Sequence, residues 1–330
     1  MSRYCKLIQS VDELKIVDLP IPTLDGKKDQ LVIKVVASAA NFFDILQVQG
    51  KYQTQPPFPW IAGYEFAGVV AESTSSGFKV GDRVFGGSQG AYSEYIKVNV
   101  KSNPVLHIPD GLSFEEASTL YITAPTSYLA IFERGKVRKG ETVLIHAGAG
   151  GVGLMAVQMA KAAGAFVIAT ASTEDKLDIC KKFGADVGIN YKDKDWIQQI
   201  KAVTKGKGCD VIYDPVGLVD QSLKIVAFNG RILIVGFAGG AIEKIAMNKL
   251  LLKQCSVVGV FWGGTTINDP ATVPKVWGGI LNLLTEKKLK ATVFDKVYHG
   301  VDSVPSALAA LGNRETWGKV VIKMNTGSKY

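Results

Sequence analysis

A chain of 330 residues is longer than one hydrophobic core of ordinary size serves, so two domains are expected. No run of about 18 uncharged apolar residues occurs, and the start, MSRYCKLIQSVDELKIVDLP, carries charges too often for a signal peptide, which predicts a cytoplasmic protein without a membrane span. The net charge of +8 comes from scattered lysines, a pattern that argues against nucleic acid as the main partner.

Cysteine and histidine form no metal-site pattern. The four cysteines lie far apart, at Cys5, Cys180, Cys209 and Cys255, so neither a C-x-x-C zinc site nor a disulfide framework is predicted. No two of the three histidines lie at ligand spacing. A mechanism that needs a cysteine or histidine metal site is therefore disfavoured.

From Leu14 to about Val100 the chain has the rhythm of short β-strands. Pro and Gly turns separate runs rich in β-branched or aromatic residues, namely LKIVDLP, LVIKVVASA, FAGVVAES, DRVFGG and AYSEYIKV. These runs predict a β-rich domain. A helix follows at LSFEEASTL, where Ser113 and Glu116 have the spacing of a capping box.

From Glu141 the rhythm changes to alternating strands and helices. Six short apolar strands are predicted, at TVLIHA, FVIATA, VGINY, DVIYD, RILIVG and SVVGVFW. Helical stretches such as EDKLDICKKFG and KDWIQQIKAVTK lie between most of them. This alternation predicts an α/β domain with a doubly wound, Rossmann-type parallel sheet of six strands.

A glycine-rich turn precedes the first helix of this domain. Gly148, Gly150 and Gly153 match G-x-G-x-x-G between a predicted strand and a predicted helix, the context in which the motif binds a dinucleotide. Gly148 would form the tight turn, Gly150 would let the backbone approach a pyrophosphate, and Gly153 would let the helix pack close to the strand. The pyrophosphate would lie at the positive helix N-terminus. The alternative is a tight turn without a ligand.

The end of the second strand indicates which dinucleotide is bound. A cofactor with a free ribose 2′-hydroxyl usually meets an acidic residue there, whereas this strand ends at Ala171 and Ser172. Lys176 lies one turn into the next helix, where its ammonium could reach a 2′-phosphate or could simply be solvated. The residues around Lys176 leave both roles open.

Ordered motifs run along nearly the whole chain: ANFFDILQVQGKY, PWIAGYEFAGVV, VGDRVFG, LYITAPTSYLAIFERGKVRKGETVLIHAGAGGVG, GADVGINY, YDPVG and NRETWGKVVI. Together they resemble the zinc-free quinone oxidoreductase, or zeta-crystallin-like, branch of the medium-chain dehydrogenase/reductase superfamily. The resemblance implies a GroES-like substrate and catalytic domain at residues 1–120 and 285–330, and a Rossmann dinucleotide-binding domain at residues 121–284. It also implies an active site in the cleft between the two.

The resemblance points away from zinc. Zinc-dependent relatives have Gly-His-Glu, in which the histidine binds the catalytic zinc, where this chain has Gly63-Tyr64-Glu65. Their cysteine ligand lies in the region that here reads Ala40-Asn41-Phe42-Phe43-Asp44, and their four-cysteine structural lobe is missing. Without these ligand atoms we expect a metal-independent enzyme. Such an enzyme has no Lewis acid for a simple alcohol and suits an electron-poor acceptor, such as a quinone or an activated alkene.

The resemblance also implies roles for individual residues. Asn41 and Thr126 would lie beside the nicotinamide of NADPH, and Tyr52 would orient the substrate or donate a proton. Arg314 would make a late contact to the cofactor. The pyrophosphate would be held by Gly150, Gly151, Val152 and Gly153, and the 2′-phosphate would be surrounded by Ser172, Lys176 and Tyr191. The nicotinamide side would be lined by the strand-end residues Val235, Gly236, Phe237, Phe261 and Trp262.

Three functions remain open. The first is NADPH-dependent reduction of a quinone. The second is NADPH-dependent reduction of an α,β-unsaturated carbonyl compound or an enoyl thioester, which would use the same metal-free cleft. The third is a crystallin-like or RNA-binding protein that keeps NADPH as a ligand. The apolar strand within Cys255–Trp262 would leave an exposed sheet edge, and in this family it pairs with its copy, so a homodimer is expected.

Overall fold

The computed structural model of the chain describes residues 10–324. Within them the chain divides into two compact units. The first contains the residues up to Ile122 and those from Ala291 onward, and the second is Thr123–Lys290. Among the described helices, none combines the length and the hydropathy that crossing a bilayer requires.

The first unit is built on a seven-stranded sheet. Its strands are β1 (Gln30–Ala39), β2 (Glu65–Ser73), β3 (Arg83–Gly87), β4 (Tyr95–Asn99) and β5 (Val105–His107), with β12 (Tyr298–His299) and β13 (Val321–Lys323) from the later part of the chain. They follow the order β12-β13-β1-β2-β3-β5, and β4 also pairs with β1. Within the described residues the pairs are antiparallel, except that β12 and β13 are parallel.

The packing of this unit makes β1 its central strand. β1 pairs with β2 along one edge and with β4 and β13 along the other, so its backbone lies wholly inside the sheet. Its Leu31 and Ile33 belong to one buried cluster with Phe66 of β2 and Ile322 of β13. Short helices complete the unit: α1 (Phe42–Val48), α2 (Phe114–Ser118) and α11 (Val304–Gly312), with 3₁₀ turns at Val11–Glu13 and Val301–Ser303.

The predicted strands of this half are confirmed in part. LVIKVVASA, FAGVVAES and DRVFGG form β1, β2 and β3, whereas only the second half of AYSEYIKV is a strand. The prediction of a strand at LKIVDLP is wrong, because this segment pairs with no described strand and exposes Ile16 and Leu19. β-Propensity reflects packing against neighbouring strands, so such residues without a partner form no strand. The capping box is confirmed: Ser113 Oγ accepts the Glu116 N–H at 3.1 Å.

The second unit is organised around a six-stranded sheet. Its strands are β6 (Thr142–Ile145), β7 (Phe166–Ala171), β8 (Val187–Asn190), β9 (Cys209–Asp214), β10 (Val226–Ile234) and β11 (Ser256–Gly259). They follow the order β11-β10-β9-β6-β7-β8, and the described pairs are all parallel. The six predicted strands are thus confirmed, and their order is the doubly wound one of a Rossmann sheet.

Helices precede, connect and follow these strands. They are α3 (Thr123–Tyr128), a π-helical turn (Leu129–Arg134), α4 (Gly151–Ala162), α5 (Glu174–Lys182), α6 (Trp196–Val203), α7 (Val219–Ser222), α8 (Met247–Lys253), α9 (Trp262–Asn268) and α10 (Thr272–Thr285). The strand order reverses at β6, which lies between β7 and β9. In open parallel sheets, ligands bind outside the carboxyl ends of the strands at such a reversal.

Candidate functional site

The glycine turn between β6 and α4 is closely packed. A methyl group on Gly153 would lie 2.3 Å from the Ala147 carbonyl oxygen, and one on Gly148 would lie 2.8 Å from Ala169 Cβ. These two positions therefore require glycine for packing alone. Gly150 is exposed, and a methyl group there would have its nearest neighbour 3.3 Å away. The backbone at Gly150 is thus the part of the turn that a ligand can approach.

The first turn of α4 faces the exposed backbone of Gly150. The helix begins at Gly151 after the extended Gly150, and the first N–H groups of a helix have no acceptor within it. These groups and the helix dipole favour an anion. A hydrogen bond stabilises the start of α4, because Ser127 Oγ donates to the Val152 carbonyl at 2.8 Å. The same Ser127 oxygen lies 3.0 Å from the Tyr213 hydroxyl. The residues present therefore fit a dinucleotide pyrophosphate.

Ser172, Lys176 and Tyr191 lie together at the carboxyl ends of β7 and β8. Ser172 directly follows β7, and Lys176 is half-buried in the first turn of α5. The Tyr191 N–H donates to the Ala171 carbonyl at 3.1 Å, so Tyr191 lies beside the end of β7. Thr173 caps α5 by accepting the Lys176 N–H at 3.4 Å. The structure thus brings the three residues predicted for a 2′-phosphate to one edge of the sheet.

The other predicted residues of the second unit lie at two further strand ends and on α3. At the strand ends these are Val235, Gly236 and Phe237 after β10, and Phe261 and Trp262 after β11. The Phe261 side chain is largely exposed, whereas Trp262 is buried. Thr126 is half-buried on α3, next to Ser127. All except Thr126 therefore share the carboxyl edge of the sheet with the glycine turn.

Three predicted residues lie in the first unit. Asn41 is buried immediately before α1, and Tyr52 follows α1 with its ring stacked on Phe43, 5.3 Å between ring centroids. Arg314 is exposed just after α11. Asn41 and Tyr52 thus flank one short helix, whereas Arg314 lies on a separate segment.

Asn41 belongs to a buried ionic cluster that the sequence analysis did not predict. The Lys319 ammonium donates to the Glu65 carboxylate at 2.6 Å, to Asn41 Oδ1 at 2.5 Å and to the Ala40 carbonyl at 2.8 Å. Asn41 Nδ2 donates to the same Glu65 oxygen at 2.9 Å, and the other Glu65 oxygen accepts the Ile122 N–H at 2.7 Å. The Lys319 side chain is 3% exposed and that of Glu65 is fully buried. Both charges are therefore paired and hydrogen-bonded, as burial requires.

Asp44 is a second buried acid close to this cluster. Its Oδ2 accepts the Tyr92 hydroxyl at 2.7 Å and the Asn41 N–H at 2.8 Å, whereas Oδ1 has no hydrogen-bond partner among the described residues. Burial raises the pKa of Asp44 to about 6, although these hydrogen bonds and the charge of Lys319 oppose the shift. Asp44 therefore loses its proton at about pH 6, which is just below neutral.

Three half-buried rings beside α1 form an aromatic wall: Phe43, Tyr52 and Tyr64. Phe43 stacks on Tyr52 and meets Tyr64 edge-on, with 6.0 Å between ring centroids. Burial raises the pKa of both Tyr52 and Tyr64, helped by the charges of Asp44 and Glu65 respectively. Both hydroxyls keep their protons at neutral pH. The wall thus offers stacking faces and hydrogen-bond donors to a flat ligand.

The donors at this position do not fit a zinc ion. By the resemblance, Tyr64 stands where zinc-dependent relatives have their zinc-binding histidine, and Asn41 stands in the region of their cysteine ligand. The Lys319 ammonium, which offers protons and no lone pair, is already bound to Asn41 and Glu65. Within residues 10–324 no three His, Cys, Asp or Glu side chains are arranged to hold a metal ion. Metal independence of the activity stays a prediction.

Four residues of this site have no role predicted from the sequence: Asp44, Glu65, Tyr92 and Lys319. The sequence did contain a signal for Lys319, since it interrupts the apolar run WGKVVI and a lysine in a buried segment needs a counter-charge. Glu65 gives a similar signal at the start of EFAGVV. Their pairing could not be predicted, because 254 residues separate them along the chain.

Known proteins match both units. Residues 27–110 match the family model of the alcohol dehydrogenase GroES-like domain, and residues 151–280 match that of the zinc-binding dehydrogenases. The probable quinone oxidoreductase of Schizosaccharomyces pombe is 33% identical over 324 residues, which cover 96% of this chain and 94% of that protein. The quinone oxidoreductase-like protein 2 homolog of Nematostella vectensis is 35% identical over 299 residues, 89% of this chain and 81% of that protein.

Solved structures share the fold. The quinone oxidoreductase of Pseudomonas syringae has a TM-score of 0.86 at 30% identity, covering 97% of this chain and 98% of that one. The Escherichia coli quinone oxidoreductase complexed with NADPH has a TM-score of 0.85 at 28% identity, covering 95% and 97%. Together with the family models, these matches confirm the predicted GroES-like β-rich domain and Rossmann-type domain.

The pH dependence of stability tests the burial of Asp44. Its pKa is about 6 in the folded chain and about 3.9 in an unfolded one, so between these values the folded state holds one more proton. The free energy of unfolding should therefore decrease as the pH rises from about 4 to about 6, by on the order of 3 kcal/mol from this group, and should not decrease further above that range.

Asp44→Asn removes the ionisation and supplies the comparison. The difference in unfolding free energy between wild type and variant should change with pH below about 6 and stay constant above it. Urea unfolding of both chains at about pH 4.5, 5.5, 7 and 8 measures this difference. A difference that is the same at all four values would mean that Asp44 titrates as an ordinary surface acid.

Proposed function

Because the chain belongs to the quinone oxidoreductase family of the medium-chain dehydrogenase/reductase superfamily, we propose that this oxidoreductase is an NADPH-dependent, metal-independent quinone reductase. One observation carries the proposal. The aromatic wall includes Tyr64, which by the family resemblance stands where zinc-dependent relatives have a zinc-binding histidine, so a stacking surface with a hydroxyl donor would replace a metal ligand. Such a surface suits a flat, electron-poor acceptor better than a simple alcohol.

The second unit would hold the cofactor. The backbone of Gly150 and Gly151 at the start of α4 would bind the pyrophosphate, and the strand-end residues after β10 and β11 would line the nicotinamide side. When bound, NADPH supplies a hydride. NADPH is favoured over NADH because β7 ends without an acid, and because Ser172, Lys176 and Tyr191 gather at that end. The NADPH bound by the Escherichia coli relative supports this choice.

The first unit would orient the acceptor. A quinone ring could stack on the aromatic wall, and its carbonyl oxygens could accept hydrogen bonds from Tyr52 and from the Asn41 amide. Reduction of a quinone adds one hydride and one proton, and the oxygen carries negative charge until the proton arrives. Protonated hydroxyls and a polarised amide stabilise that charge without a metal.

A second candidate is the reduction of an α,β-unsaturated carbonyl compound or an enoyl thioester, by hydride addition to the β-carbon. It is favoured by the likeness to the CurK enoyl reductase, with a TM-score of 0.83 at 26% identity and 96% of each chain covered. A third candidate is a protein that binds NADPH without turning over an acceptor. The basic residues of the chain are scattered, which argues against RNA as its partner. We expect a cytoplasmic location in each case.

The surface around β11 supports a homodimer formed through the Cys255–Trp262 segment, of which Ser256–Gly259 is the strand. β11 is the last strand of its sheet and pairs with β10 on one side. Val257 on this strand is 41% exposed, and Phe261 beyond it is more exposed still. A groove of about 450 Å³ beside the strand is lined in part by Phe261, Arg134 and Thr265. A second copy across a two-fold axis would cover this open edge.

A panel of acceptors tests the activity. NADPH oxidation is followed with 1,2-naphthoquinone, 1,4-benzoquinone, an enone and a crotonyl thioester, before and after exhaustive chelation. We expect the quinones to have the highest kcat/KM, unchanged by chelation, since no metal takes part. Asn41→Ala should lower kcat more than NADPH affinity, and Tyr52→Phe should raise KM for the quinone.

Other outcomes of this panel point to the other candidates. An enone or thioester with the highest kcat/KM would support the second candidate. Tight NADPH binding without turnover of any acceptor would support the third candidate. Activity that is lost on chelation and restored by zinc alone would contradict the interpretation of Tyr64 and Asn41.

The choice of cofactor is tested with Lys176→Ala. Loss of a charge-assisted hydrogen bond to a phosphate costs about 1.5–3 kcal/mol, so kcat/KM should fall roughly 10- to 150-fold with NADPH and little with NADH. Lys182→Ala, at the exposed far end of the same helix α5, is the matched control and should change neither. A wild-type chain that prefers NADH would overturn the choice of NADPH.

The homodimer is tested with Val257→Lys, which adds a charge at the sheet edge. The wild-type chain should have twice the monomer mass by light scattering at micromolar concentration, and the variant should be a monomer, because a lysine on an edge strand opposes strand pairing. Val80→Lys, at an equally apolar but 67% exposed position of the first unit, should leave the mass unchanged. A monomeric wild type would refute the dimer.

A further inference from the structure

The hydrogen bonds of Lys319 are fully used inside the protein. An ammonium has three N–H donors, and those of Lys319 meet the Ala40 carbonyl, Asn41 Oδ1 and Glu65 Oε2 at 2.5–2.8 Å. Its side chain is 3% exposed. Lys319 therefore has no proton left for a substrate, and any effect on chemistry must pass through a neighbour. Of its three neighbours, Asn41 is the side chain predicted to lie beside the nicotinamide.

The cluster fixes the orientation of the Asn41 carboxamide. Lysine only donates hydrogen bonds, so the amide oxygen must face Lys319, and a carboxylate only accepts them, so the amide nitrogen must face Glu65. A flipped amide would set NH₂ against the ammonium and oxygen against the carboxylate. One N–H of Asn41 makes a 2.9 Å bond to Glu65, and the nitrogen has a longer contact of 3.3 Å to the Ala39 carbonyl. The N–H bonded to Ala39 makes the longer and weaker of the two bonds, so an incoming acceptor would replace the Ala39 carbonyl as its partner.

We infer that Lys319 is a positioning residue that orients and polarises the Asn41 amide so that one of its N–H groups stabilises the reduced acceptor. The inference rests on the proposed function. A cation on the amide oxygen draws electron density from the nitrogen and makes its N–H a stronger donor. A donor that is already oriented stabilises developing charge most effectively where water is excluded. Quinone, hydride and proton combine to hydroquinone, and the oxygen anion that precedes the proton would gain this stabilisation.

Substitutions of Lys319 in the full chain with NADPH and 1,4-benzoquinone test the inference. Lys319→Gln keeps N–H donors and removes the charge, and Lys319→Met removes both. We expect kcat to fall about 10- to 100-fold, more for Met than for Gln, while the NADPH dissociation constant measured by fluorescence stays within about twofold of wild type. Lys323→Met is the matched control, since Lys323 pairs with Glu115 through a side chain that is 44% exposed, and kcat should not change.

A double-mutant cycle separates positioning from a merely structural role. If Lys319 acts through Asn41, then Lys319→Gln should reduce kcat by less than about threefold in an Asn41→Ala background, whereas independent effects would multiply. A series of benzoquinones adds a second readout, because loss of charge stabilisation should make log kcat fall more steeply with increasing basicity of the hydroquinone anion. Unchanged slopes and multiplicative losses would overturn the inference.

The remaining outcomes are also decisive. Circular dichroism and thermal unfolding establish whether each variant folds, and Lys319→Gln carries the test if Lys319→Met does not fold. Failure of both variants to fold would assign Lys319 to stability and overturn the inference. A wild-type chain that reduces no quinone would defeat the proposed function and the inference with it, whereas an active wild type with an equally active Lys319→Gln would defeat the inference alone.

Discussion

An ammonium can be buried only where each of its protons finds an acceptor and its charge finds a counter-charge. In the first unit Lys319 and its acceptors lie on three chain segments that are neighbours in one sheet. Ala39 at the end of β1 is opposite both Glu65 at the start of β2 and Val321 at the start of β13. The antiparallel pairing therefore brings Asn41, Glu65 and Lys319 to one edge. Removing one charge would leave the other buried and unpaired. The ion pair therefore links these strands in addition to the backbone hydrogen bonds of the sheet.

The two units differed in how much the sequence could predict. In the second unit the strands are short apolar runs, and the glycine turn lies between a strand and a helix that adjoin it in the chain. Both signals are local, so six strands and the residues at their ends could be assigned. The gathering of Ser172, Lys176 and Tyr191 was implied by the family resemblance, and it agrees with the rule that parallel strands end at one edge. Their contacts to a cofactor stay predictions.

In the first unit the decisive contacts are not local. The resemblance pointed to Asn41 and Tyr52, but the partners that fix Asn41 lie 24 and 278 residues away in the chain. No periodicity links such residues, and a single lysine in an apolar run does not reveal which acid it meets. The exposed LKIVDLP segment illustrates the same limit, because strand formation depends on a partner that local composition does not specify.

The first unit is interrupted in the chain by the second, and this has a consequence for synthesis. Glu65 and Asn41 emerge from the ribosome early, whereas Lys319 emerges only after Thr123–Lys290 has been made. At about 5–20 residues per second, that insertion takes on the order of 10–30 s to translate. During this time the second unit, which is continuous, can fold alone, while the nascent first unit holds an unneutralised carboxylate and an open edge on β1 where β13 will pair. Until β13 has been made, the nascent first unit therefore lacks the strand that covers part of this edge, and an uncovered strand edge is a site for aggregation.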